Sequence, residues 1–169
     1  MSMKHSYIFY FAVALFMLCP SLHAFEAQDG DSPIVEILDN HKEAKKLDGT
    51  KLKVARPFLK RTPMGVIVDE INMMVICPLD LNNIEGRAFS GKALNVLKTY
   101  NLVQQIDDEK STMDIYIDTP QENRFTEIIL YNTRPEASIL LFMGDFTVES
   151  LIKVGEASEQ ERKYLKKNK

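Results

Sequence analysis

The most regular pattern of apolar and polar positions lies in the C-terminal half of the chain. Leu102 to Ile106, Met113 to Thr119, Phe125 to Asn132 and Ala137 to Gly144 are strand-like runs. Short turn-rich segments, Asp107 to Lys110, Pro120 to Asn123 and Thr133 to Glu136, separate them. Strands joined by such short connections predict an antiparallel meander of four strands. In the second run Met113, Ile115 and Ile117 face one way while Asp114, Tyr116 and Asp118 face the other, so one side meets the core and one meets water. Ile128-Ile129-Leu130 and Ile139 to Met143 are continuously apolar, which predicts central strands covered on both faces.

The N-terminal half is less regular. Ser32 as a cap, Pro33 in the first turn and a stripe of Ile34, Ile37, Leu38, His41 and Leu47, closed by Asp48-Gly49, predict a first helix. Lys51 to Ala55 alternates charge with apolar residues and predicts a half-exposed strand ended by Pro57. Phe58 to Ile71, broken by Pro63 and Gly65, reads as one interrupted helix or two short ones. Met73 to Ile76 predicts a buried strand stopped by Pro78. The turn formers between Pro78 and Gly91 predict a long surface loop, followed by a helix over Lys92 to Tyr100. After Gly144-Asp145, Thr147 caps a helix whose stripe is Val148, Leu151, Ile152 and Val154, with Gly155 as its stop. The fold class expected is therefore α+β: a mostly antiparallel sheet with a C-terminal four-strand meander, packed by two or three helices.

The first two dozen residues change this picture by adding a compartment. Lys4 precedes an uncharged run from Tyr7 to Leu18, then Pro20 and the small residue Ala24. That order of parts is a secretory signal peptide, too short in its apolar run to span a bilayer as a helix. The expected organisation is a signal peptide over 1–24, a flexible mature start and helix over 25–50, an α+β domain over 51–155 and a charged tail over 156–169. Cys19 raises the alternative of a lipid-modified cysteine, although Leu18 stands where lipoprotein signals place a small residue.

Composition removes more functions than it suggests. Taking Lys4 from the 21 basic side chains leaves 20 against 24 acidic ones, so nucleic acid is not an expected partner. Cys77 is the single cysteine left after the signal, in an apolar run where a thiol is usually a small buried hydrophobe. His41 is the single histidine left, which rules out a multi-histidine metal site within one chain and makes a histidine-based triad depend on a largely polar helix. Asp114 and Asp118 could do acid and base work from one strand face, against the plainer reading of a wet sheet surface. Glu127 stands among apolar neighbours, where burial would raise its pKa, or it pairs across the sheet with a lysine or arginine, or it sits near the strand's exposed start. Asp29, Asp31, Asp80, Asn82, Asn83 and Asp107 to Glu109 lack the spacing of a calcium loop, and Gly86 and Gly91 lack the ending of a phosphate loop. No catalytic, cofactor-binding or metal-binding residue is assigned.

The strand Thr126 to Leu130, the apolar strand ending in Gly144, and Asp145-Phe146 with Leu151 resemble an uncharacterised family of small exported proteins from Gram-negative bacteria, a domain of unknown function. The resemblance covers roughly Leu52 to Val154 and is closest over Phe125 to Leu151. It implies export and an α+β fold, and no activity. The function expected is a non-enzymatic envelope module that binds an unidentified envelope protein or ligand through its sheet face or the loop from Pro78 to Gly91. The alternatives are a hydrolase-like or thiol-using enzyme built on Asp114, Asp118, Glu127 or Cys77, and a surface protein anchored in the membrane if Cys19 is lipidated.

Overall fold

A computed structural model describes residues 32–107, 112–118 and 123–167. The signal segment, Cys19 and the polar start from Phe25 to Asp31 lie outside the described residues. A six-stranded antiparallel sheet in the order β1-β2-β6-β5-β4-β3 organises the chain. Its strands are β1 (Lys45–Asp48), β2 (Ile71–Pro78), β3 (Asn101–Asp107), β4 (Thr112–Ile117), β5 (Arg124–Arg134) and β6 (Ser138–Thr147). The helices are α1 (Pro33–Asp39), α2 (Gly49–Leu59), a 3-10 turn (Pro63–Ile67), α3 (Ile84–Leu97) and α4 (Val148–Lys167). The fold is α+β, and β3 to β6 form the meander, with each strand beside its successor.

Both faces of the sheet are covered, which explains the continuous apolar runs. On β5 and β6 alternate residues go to opposite cores. Ile128, Leu130, Leu140 and Phe142 pack with Leu52, Ala55, Leu59, Met64, Ile67 and Val154 from α2, the 3-10 turn and α4. Ile129, Tyr131, Ile139 and Leu141 pack with Ile34, Val35 and Leu38 of α1 and Ala93 and Leu97 of α3. The chain passes from β2 to the far edge at β3 through α3, so this helix lies over the second face.

Several local expectations are corrected. The first helix ends at Asp39, and Leu47 is instead a buried residue of β1, paired with Met74. Lys51 to Ala55 is helical, within α2. Leu52, Ala55 and Leu59 all point inward at helical spacing, while Val54 stays exposed. Pro57 sits inside this helix and does not end it. The interrupted segment after Phe58 resolves into the last turn of α2 and the 3-10 turn, and Ile71 begins β2. The stretch from Pro78 to Gly91 is mostly not a loop. Asn83 caps α3 by accepting the Gly86 N–H at 2.6 Å, leaving a short connection from Leu79 to Asn83. Gly86 is required there because a Cβ would stand 1.9 Å from the Asp80 carbonyl oxygen.

At the other end, Thr147 Oγ1 accepts the Ser150 N–H at 3.2 Å and starts α4 as expected. Gly155 does not stop that helix, which continues to Lys167. A glycine inside a helix costs only about 1 kcal/mol, which neighbouring helical residues offset. Among the described residues no helix is long and apolar enough to cross a membrane.

Candidate functional site

The β5–β6 turn, the α1–β1 connection and the β2–α3 connection meet at one end of the sheet and enclose an open cleft of about 710 Å³. Its walls include His41, Glu43, Leu79, Asn82, Pro135 and Glu136. The β2–α3 connection is braced from within. Asp80 accepts the Asn82 N–H at 3.0 Å and the Asn83 side-chain amide at 2.7 Å, and Leu79 N–H donates to the Ala137 carbonyl across the cleft floor at 2.9 Å. Arg87 donates from Nη1 to the Leu81 and Asn82 carbonyls at 3.1 and 3.0 Å, clamping the connection to α3. The wall thus satisfies part of its own backbone.

His41 is positioned by its ring contact with Phe89, centroid to centroid 4.0 Å, and by the Glu43 N–H, which donates to its Nδ1 at 3.2 Å. Partial burial lowers its pKa below the usual histidine value, against the raising influence of Glu43. The ring is therefore neutral at pH 7 with Nε2 carrying the proton. The cleft combines this donor with the Lys42 ammonium and the Glu43, Asp80, Glu85 and Glu136 carboxylates around a floor that includes Ile76, Leu79 and Ala137. Such a mixture of apolar floor and polar rim suits recognition of a polar or peptide-like group.

The residues weighed for chemistry lie elsewhere and are each occupied. Cys77 is wholly buried against the α1 and α3 core, and burial pushes its thiol up to about 12, with Glu43 adding to the effect. The thiolate needed for nucleophilic attack is thus absent at neutral pH. Asp118 is spent on the β5 backbone: it accepts the N–H groups of Thr126 and Glu127 and the Thr126 hydroxyl, all at 2.9 Å in their shortest contacts. Asp114 accepts from Gln105 Nε2 at 3.1 Å and lies 3.5 Å from the Tyr116 hydroxyl. The two carboxylates therefore hold different donors.

Glu127 is buried, 5 % exposed, and its partner is not a cross-strand cation. The Tyr100 hydroxyl donates to its Oε2 at 2.8 Å, and Ser32 Oγ lies 3.5 Å from that hydroxyl. Burial raises its carboxyl pKa, the Ser32 and Tyr100 hydroxyls pull it down, and Asp118 raises it further. Sequence reasoning found Glu127 but missed Ser32 and Tyr100. The one signal available was parity, since Glu127 shares its strand face with Ile129 and Tyr131, the face that a helix must cover. It also missed that Thr133 to Ser138 closes the cleft opposite the β2–α3 connection.

Among the described residues no cluster of three or more histidine, cysteine, aspartate or glutamate side chains is arranged to hold a metal ion. No family model, no curated protein and no solved structure matches the chain.

Proposed function

We propose that the chain is an exported, non-enzymatic binding module of the Gram-negative envelope, periplasmic after removal of Met1 to Ala24, and that it takes a segment of an envelope protein in the cleft between Asn82 and Glu136. The observation that carries this reading is the cleft itself: a braced recess with an apolar floor and a mixed polar rim. The enzymatic alternatives draw no support from the same geometry, because Cys77, Asp114 and Asp118 are held in structural contacts. The signal-like N-terminus and the resemblance to exported Gram-negative proteins supply the compartment.

A photocrosslinking residue at Asn82 in the cleft, compared with one at Val54 on the opposite side of the sheet, tests the reading in the envelope of a Gram-negative host. It predicts a saturable adduct with one protein from Asn82, none from Val54, and loss of that adduct in Glu136→Lys. Equal adducts from both positions, or none from Asn82, would contradict it. Intact mass of the same sample tests the compartment: a chain beginning at Phe25 supports export, and an acylated chain beginning at Cys19 replaces it with membrane anchoring.

A further inference from the structure

Helix α1 is only seven residues long and holds to the sheet by Ile34, Val35 and Leu38 together with one polar chain that runs through its cap. Ser32 Oγ accepts the Val35 N–H at 3.3 Å, lies 3.5 Å from the Tyr100 hydroxyl, and so connects the helix start to Glu127. A helix this short does not persist alone in water, so its docking decides whether it exists.

The groups around the Glu127 carboxyl are hydroxyls and a second anion. From α1 comes Ser32, and from the α3–β3 junction Tyr100, whose burial pushes its hydroxyl far above the usual phenol value and keeps it protonated. From just past the end of β4 comes Asp118, whose carboxylate is spent on backbone N–H groups. From β6 comes the cross-strand neighbour Met143, which carries no charge. A neutral carboxyl fits this site, accepting from the Tyr100 hydroxyl that links it to Ser32. An ionised one places a charge in a buried pocket beside Asp118, where desolvation outweighs two hydroxyl donors.

We propose that Ser32, Tyr100 and Glu127 form a proton-operated latch on α1: the neutral Glu127 carboxyl holds the helix on the sheet, and loss of its proton to solvent releases the helix and uncovers the face beneath it. Undocking returns the carboxyl to water and to its ordinary range. The docked state therefore binds the proton more tightly than the open one. Docking is strongest below the ordinary carboxyl value and weakens as pH rises through the raised value of the docked state.

Amide hydrogen exchange over Ile34 to Leu38 between pH 4 and 8, corrected for intrinsic rates, tests the latch. Protection should fall with rising pH by up to about tenfold per pH unit, while Glu127→Gln keeps it high and flat. Asp39, at the end of α1, is also raised by burial, so Asp39→Asn is run beside it and should leave the fall intact. An unchanged profile in Glu127→Gln, or a fall removed by Asp39→Asn instead, would overturn the proposal. If Glu127→Gln loses protection at Ile129 to Tyr131 and is therefore unfolded, Tyr100→Phe decides: removing a donor that favours the anion should move the fall to higher pH, and an unmoved fall would overturn it.

Discussion

The two faces of the sheet are buried in different ways. Beneath α2, the 3-10 turn and α4, the sheet presents Met74, Ile76, Ile115, Ile117, Ile128, Leu130, Leu140 and Phe142, all of them apolar. The Glu70 carboxylate accepts from Ser150 Oγ at 2.6 Å there, and Arg56 donates to the Ile71 carbonyl at 3.3 Å. Beneath α1 and α3, the sheet buries Glu127, Cys77 and Tyr131 among its apolar residues. The first face is held by apolar packing, which does not respond to pH. The second depends on hydroxyls and on a proton. The cleft lies at the end of the sheet where the connections leading into α1's neighbour β1 and into α3 come together, so the conditional face is also the one next to the candidate binding site.

The largest effect should come from breaking the apolar face. Phe142 is 1 % exposed within that core, and Phe142→Ala should cost about 3–5 kcal/mol in urea unfolding, with the same loss at pH 5 and pH 8. A loss that changed strongly with pH would erase the contrast between the faces. A smaller effect should follow on the polar face. Ser90 Oγ and the Tyr131 hydroxyl pair at 2.7 Å in a buried position, so Tyr131→Phe should cost about 1–2 kcal/mol by leaving Ser90 without its partner. No loss would mean that Ser90 finds a backbone acceptor in α3. The smallest change concerns α4 alone: a Cβ at Gly155 meets nothing within 4 Å, and Gly155→Ala should stabilise the helix by up to about 1 kcal/mol without touching either core. Destabilisation would show that Gly155 is there for contact with another surface.

Legibility in the sequence followed the length and position of each element. The runs Ile128 to Leu130 and Ile139 to Met143 could be read as doubly covered strands because both faces of a central strand are apolar whatever covers them. Lys51 to Ala55 could not be separated from a strand, since over five residues Leu52 and Val54 satisfy a period of two, and the helical spacing of Leu52 and Ala55 becomes a stripe only with Leu59, outside the window. β1 was invisible because four residues with one buried side chain, Leu47, carry no period at all. The turn formers before Gly91 imitate a loop for a different reason: Asn83 acts as a helix cap, while Gly86, Ser90 and Gly91 lie within α3. In the site, Glu127 was legible from its apolar neighbours. Its partners were not, since Ser32 and Tyr100 reach it only through the docking of α1 and the end of α3, contacts separated by many residues along the chain.

The contrast between the faces rests on the protonation of one buried group. It is tested most directly by a carbon-13 NMR titration of the Glu127 side-chain carboxyl in the folded protein, assigned against Glu127→Gln. The account predicts a midpoint clearly above the ordinary carboxyl value of 4.5, with the resonances of α1 moving at that midpoint and those of α2 unmoved. A midpoint at or below the ordinary value, or equal movement on both faces, would contradict it.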